Sequence, residues 1–175
     1  MQLADSRIIA AIPERVWAAL FDPEVLRTCI PGCQSMIGSP EAGYEAVVVQ
    51  KVGPVSARFT GLVLLSDVVP GSGVTISGEG KGGPAGFAKG RAKVTLEPDG
   101  KGTKLTYLVD ASVGGKIAQL GNRIIDGLAK KMADQFFEHF AAVVEGPAEP
   151  ETELAMAEEG EAEAPKKGWF RRLIG

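Results

Sequence analysis

The feature that most constrains this chain is an apolar stripe between residues 116 and 144. Ile117, Leu120, Ile124, Leu128, Met132, Phe136, Phe140 and Val143 recur at intervals of three or four, the spacing of an amphipathic helix. Gln119, Asn122, Arg123, Asp126, Lys130, Lys131, Asp134 and Glu138 take the opposite face, and Gly114 and Gly115 break the segment before it. At 1.5 Å per residue such a helix is roughly 40 Å long. It would lie across a whole small domain, so it needs an apolar surface of matching length.

The upstream residues supply that surface as strands. Residues 3–12 read as a first strand with Ile8 and Ile9 at its centre. Pro13 then opens a short helix carrying Val16, Trp17, Leu20 and Phe21, because a missing N–H costs nothing in a first turn. Asp22-Pro23 caps a second short helix to about Arg27. A turn at Cys29-Ile-Pro-Gly-Cys33 follows, and from Ser35 the pattern becomes that of strands. Residues 44–52, 55–66, 74–80, 85–96 and 103–113 alternate apolar with polar, separated by turns such as Gly53-Pro54 and Pro98-Asp99-Gly100. The expectation is an α+β fold: a curved antiparallel β-sheet of about six to seven strands, two short helices after strand 1, and the long C-terminal helix closing the inner face.

Several inward positions are very small: Gly61, Gly78, Gly80, Gly86, Ala88, Gly90 and Ala92. They let the sheet bend and the helix approach, or they leave volume for an apolar ligand. Both can hold along different parts of the helix. Phe87 points outward unless a bulge at the neighbouring glycines turns it inward.

Charge divides the chain. Residues 1–140 hold 15 basic and 14 acidic residues; residues 141–165 hold eight Glu and no basic residue; residues 166–175 hold two Lys and two Arg. Residues 1–144 therefore read as the domain. The segment 145–165, rich in Glu, Ala and Pro, reads as a disordered acidic linker. Residues 166–175 read as a basic amphipathic tail. In a helix of that tail, Trp169, Phe170, Leu173 and Ile174 share one side, with Lys166, Lys167, Arg171 and Arg172 around it. That pattern suits an anionic membrane surface, and four cations with four partly buried apolar side chains give reversible contact. The neutral body lacks a basic stripe with interleaved aromatics, so nucleic acid is not an expected partner. Two cysteines and no signal peptide point to a cytoplasmic chain, peripheral to the inner face of the cell membrane.

The stretches Cys29–Cys33, Lys51-Val-Gly-Pro-Val-Ser-Ala-Arg-Phe59, Gly78-Glu-Gly-Lys-Gly-Gly-Pro-Ala-Gly-Phe-Ala-Lys-Gly90 and Gly115-Lys-Ile-Ala-Gln-Leu-Gly121 resemble the carbon monoxide dehydrogenase CoxG family. The resemblance covers about residues 1–144. It implies the helix-grip fold of the SRPBCC, START and Bet v 1-like superfamily. It also implies an accessory protein, not an enzyme, that accompanies a molybdenum-containing CO dehydrogenase or related molybdenum hydroxylase at the membrane. A cavity in such a protein suggests a respiratory quinone, menaquinone or ubiquinone, as its apolar small-molecule ligand. Trp17, Leu20, Phe21, Phe59, Phe87, Tyr107, Leu120, Ile124 and Leu128 are the residues expected to line it. Other readings are a recruitment module with a filled core, and a cyclase- or hydrolase-like enzyme, which needs an inward acid or base.

Other motifs are weaker. Gly78-Glu-Gly-Lys-Gly-Gly83 matches G-x-G-x-x-G, but Pro84 and another strand follow where a dinucleotide site needs a helix. A hairpin forming a lip of the pocket or a partner contact fits better, with Lys81 and Lys89 presented there. Zinc sites usually use closer pairs with two further ligands, and His139 lies far along the chain, so Cys29 and Cys33 read as buried thiols and His139 as a solvated helix residue. Tyr107, then Tyr44, are the candidate polar handles inside the domain.

Overall fold

The computed structural model describes residues 1–146. Residues 147–165 of the linker assigned to 145–165, and the whole tail assigned to 166–175 with Lys166, Lys167, Trp169, Phe170, Arg171, Arg172, Leu173 and Ile174, lie outside the described residues. Met1–Val144 forms one compact unit.

Strand β1 (Gln2–Ile9) is followed by helices α1 (Pro13–Leu20) and α2 (Pro23–Cys29). Pro13 and Pro23 each open their helix, and the Asp22 carboxylate accepts the Glu24 N–H at 2.9 Å, capping α2. Six further strands follow: β2 (Cys33–Ser39), β3 (Gly43–Val52), β4 (Val55–Val69), β5 (Gly73–Lys81), β6 (Phe87–Asp99) and β7 (Gly102–Gly114). They pair antiparallel in the order β1-β7-β6-β5-β4-β3-β2. All but one pairing joins strands adjacent in the chain, and the exception is β1, which lies beside β7. The alternation seen in the sequence sets one face of each strand inward. On β4, Val55, Ala57, Phe59, Gly61, Val63 and Leu65 are buried or half-buried and the intervening residues are exposed.

The long helix differs from expectation. Lys116–Leu120 is a 3-10 helix, and α3 proper runs Asn122–Glu145. Between them Gly121 takes φ +95°, a left-handed conformation that favours glycine and breaks the helix. The break takes Leu120 out of the stripe. Within α3, Leu128, Met132, Phe136 and Phe140 face inward as the spacing predicts, whereas Ile124 and Val143 are 45% and 41% exposed and their neighbours Ile125 and Val144 are buried. Ala133 and Phe137 are half-buried beside that row.

The two ends of the sheet differ in packing. At the end bearing the β4–β5 and β6–β7 turns, the core is filled. Val16, Leu20, Leu96, Leu105, Phe140 and Val144 form one buried cluster against Ile9 and Val74. Thr103 is fully buried there and donates its hydroxyl to Ala11 O at 2.7 Å, tying β7 to the chain that follows β1. A second cluster forms around Met36, Tyr44 and Ala46. At the opposite end, Ala57, Ala85 and Ile117 make a third, smaller cluster that joins the β3–β4 and β5–β6 hairpins to the 3-10 helix.

Candidate functional site

Between the large and the small cluster the interior is hollow. A cavity of about 530 Å³ lies under the first four turns of α3. The sheet is the floor, and its inward residues there are short: Gly80, Ala88, Ala92 and Ala111, with Val94, Val109 and Val113 among them. The roof is Ile125, Leu128, Ala129, Met132, Ala133 and Phe136 of α3, with Phe137 beside them. Ile30 and Pro31, from the turn after α2, and Val48, Gln50 and Val52 of β3 form one side; Met1 and Leu3 form the other. No Asp, Glu, His, Lys or Arg is among the lining residues.

The small inward residues serve both of the purposes the sequence left open. A Cβ at Gly90 would sit 3.1 Å from the Ala111 Cβ, so the strands approach closely there. Gly82 accommodates the Phe59 ring: a Cβ at Gly82 would lie 2.7 Å from it. The side chain missing at Gly82 is thus replaced by Phe59, which caps the hairpin end of the cavity. Toward the middle of the sheet Ala88 and Ala92 face open volume.

Of the residues expected to line the site, Phe59, Tyr107 and Leu128 do so. The others are corrected by the fold. Trp17, Leu20 and Phe21 belong to the filled cluster, where Trp17 and Phe21 meet edge to face at 4.7 Å. They are remote because α1 crosses the far end of the sheet. Phe87 is 40% exposed; no bulge turns it, and its ring covers Gly114 across the β6–β7 pair. Leu120 falls outside the lining because the helix breaks at Gly121, and Ile124 because its neighbour Ile125 takes the inward position at the start of α3. Sequence reading missed Gln50 and the row Ala129, Ala133, Phe137. The row was legible as a second four-residue repeat beside the first, but two of its members are alanines.

Two polar side chains reach the cavity. Gln50 donates through Nε2 to Pro31 O at 2.6 Å, which fixes its amide and leaves the other amide N–H and the carbonyl oxygen. Tyr107 is 5% exposed and stacks on Phe137 at 5.0 Å. The far face of that pair is a charged latch between β1 and α3. Arg7 donates to Asp134 at 2.6 Å, and its guanidinium lies 5.1 Å from the Phe137 ring centre. Burial opposes the charge on Arg7, but hydrogen bonds with Asp134 and Tyr107 outweigh it and hold its pKa above the ordinary value. Lys130 first, then Arg7, hold the Asp134 carboxyl below the usual carboxylate range. Tyr44, the second candidate handle, does not line the cavity: its hydroxyl donates to Phe21 O at 2.7 Å.

The remaining motifs are structural. Cys29 is fully buried and Cys33 half-buried, and burial raises both thiols. His139 sits with Nδ1 3.4 Å from Cys29 O. Among the described residues no group of three His, Cys, Asp or Glu is placed to hold a metal ion, and no helix is long and apolar enough to cross a membrane. The glycine-rich hairpin ends in a 3-10 turn, Gly83–Ala85, not in a helix that could hold a pyrophosphate. Two recesses of about 610 and 510 Å³ lie on the outer face of the sheet around Arg91. They are edged by charged side chains such as Lys93, Asp110, Glu79 and Lys89, which leaves the interior as the apolar site.

The same architecture occurs in solved structures. A conserved protein from Geobacillus kaustophilus is 30% identical, with a TM-score of 0.77 over 82% of this chain and 95% of that one. Protein CV1439 from Chromobacterium violaceum is 20% identical, with a TM-score of 0.61 over 83% and 99%. Ara h 8.0201, a Bet v 1-like protein, is 16% identical, with a TM-score of 0.57 over 82% and 97%. The last two show the fold, which is the helix-grip fold. No curated protein matches the sequence. The family model for the carbon monoxide dehydrogenase subunit CoxG matches residues 6–145, and the chain belongs to the CoxG family.

Proposed function

We propose that the chain is a non-enzymatic accessory protein of a molybdenum-containing CO dehydrogenase or related hydroxylase. In this reading its cavity takes up a respiratory quinone, such as menaquinone or ubiquinone, and residues 166–175 tether it to the inner face of the cytoplasmic membrane. It would then link the enzyme to the respiratory chain. The observation that carries the reading is the apolar cavity of about 530 Å³ inside a CoxG-family domain. That volume is in the range of small-molecule sites. It suits a quinone ring with the first units of a prenyl chain. The wall is almost wholly apolar, which suits a quinone ring and prenyl chain, and Gln50 and Tyr107 are the polar side chains among the lining residues. The apolar lining suits binding of an apolar molecule, and the open volume favours a carrier over a recruitment module with a filled core.

The test is organic extraction of natively purified full-length protein, followed by mass spectrometry. The expected result is a prenylated quinone in stoichiometric amount. An empty extract together with no uptake of added menaquinone would overturn the carrier reading in favour of recruitment alone.

A further inference from the structure

The hollow end of the domain is also its basic end. The β3–β4 hairpin, the β5–β6 hairpin, the 3-10 helix and the first turn of α3 all lie there. Their convergence is fixed by contact. Ile117 packs with Ala57 and Ala85 of the two hairpins, and the Gly115 backbone abuts Gly86. Each segment presents one exposed cation: Lys51 at the end of β3, Lys81 at the end of β5, Lys116 on the 3-10 helix and Arg123 in the first turn of α3. None of the four has an ion-pair partner among the described residues. The nearest acid in sequence on α3 is Asp126. One step further from the tips, Glu79 lies across from Lys89, so those two offset each other.

Apolar surface accompanies the charge. Phe87, at the start of β6, is 40% exposed, and Ile124, next to Arg123, is 45% exposed. Pro54 and Pro84 are exposed at the two hairpin tips. An aromatic ring, an isoleucine and two prolines among unpaired cations match what an anionic lipid interface binds: cations at the phosphates and apolar groups at the acyl boundary. An acidic protein surface would accept the cations but gives no particular reason for the apolar tips. The cavity reaches this end, since Val52, Phe59, Gly80, Val113 and Ile117 line it.

We infer that this hairpin end is a second membrane-docking surface, which seats the cavity-bearing domain on anionic lipid independently of the tail. Its use for ligand transfer rests on the carrier reading; the docking itself does not. A contact made by the body itself would fix the orientation of the domain on the bilayer, with the cavity held close to the lipid from which an apolar ligand would come.

The experiment uses the full-length chain with its tail disabled by W169A, F170A, R171Q and R172Q. Sedimentation with vesicles of equimolar phosphatidylglycerol and phosphatidylcholine is measured at low and at raised salt, with no quinone present. The tail-disabled chain is expected to bind at low salt, and adding K81E and R123E should weaken its partitioning by roughly tenfold or more. Adding F87S and I124S instead should weaken binding but leave its salt dependence unchanged. All four positions are exposed, and an unchanged circular dichroism spectrum and Tm confirm folding. Failure of the tail-disabled chain to bind at low salt, or indifference to K81E and R123E, would overturn the inference. So would loss of co-purification with the partner oxidoreductase on K81E and R123E while vesicle binding is unchanged, because the surface would then belong to a protein. A chain that docks but extracts without quinone would count against the carrier reading alone.

Discussion

Single side chains divide into those that close the fold and those that shape the cavity. Thr103 is of the first kind: it is fully buried, and its hydroxyl satisfies Ala11 O. Thr103→Val keeps the shape and leaves that carbonyl unpaired, so it should lower stability by about 1–3 kcal/mol. Urea unfolding monitored by Trp17 fluorescence would check this. The latch across the cavity edge is electrostatic, and its sign can be worked out. Asp134 has a lowered pKa in the folded state because Lys130 and Arg7 stabilise its charged form. Its contribution is present above the unfolded value of about 3.9 and is lost as pH falls through the lower folded value. The Tm gap between the native chain and Asp134→Asn should therefore be open at pH 7 and narrow as the pH falls below about 3.9. A gap that stays constant with pH would mean that the Asp134 charge plays no part.

At the scale of elements, strands and helix starts were legible because their signals are local. Pro13, Asp22-Pro23 and the period-two alternation of β3 to β7 need no tertiary context. The phase of α3 was legible from Leu128 to Phe140, but the start of the helix was not, because it depends on Gly121. A glycine inside a three-four pattern is tolerated in many helices, and only the folded backbone shows φ +95° there. Reading through it carried Leu120 onto the buried face, while Ile124 and the row Ala129, Ala133 and Phe137 were misjudged because four-residue steps drift around the helix and Ile125, not Ile124, completes the inward face. The cavity suffered in the same way. Large aromatics near α1 look like pocket walls in a sequence, whereas the walls here are alanines, valines and one row of α3. Connections at the hollow end give a comparison. Gly115 has φ +81° and a Cβ would lie 2.5 Å from Gly86 Cα, while a Cβ at Gly121 meets nothing within 4 Å. Both alanine substitutions are strained, at about 1–2 kcal/mol, but Gly115→Ala also drives the 3-10 helix off the β5–β6 hairpin. It should cost clearly more than Gly121→Ala in thermal unfolding, and equal costs would mean that the hairpin yields freely.

For the whole molecule, the division into a filled and a hollow half makes the two halves answer oppositely to added volume. In the filled half Val16 is fully buried, so Val16→Phe overpacks and should destabilise by about 1–3 kcal/mol. In the hollow half Ala129 faces the cavity from α3. Ala129→Leu keeps helix propensity and places about three more carbons against Leu128, Met132 and the sheet floor. At about 0.8 kcal/mol per buried CH₂, less the loss of side-chain entropy, it should raise the stability of the ligand-free protein by about 1 kcal/mol. The same carbons occupy space a quinone would need, so menaquinone uptake should fall as stability rises. This opposition of sign separates the carrier from a pure recruitment module. In a carrier the cavity is kept open at the expense of stability, as expected where function needs a destabilised site. If the interior were closed in solution, Ala129→Leu would behave like Val16→Phe. Calorimetry of the ligand-free variants, paired with a quinone-binding titration, reads both quantities. A gain in Tm with a loss of uptake supports the open cavity, and a loss of Tm in both variants would show that it collapses.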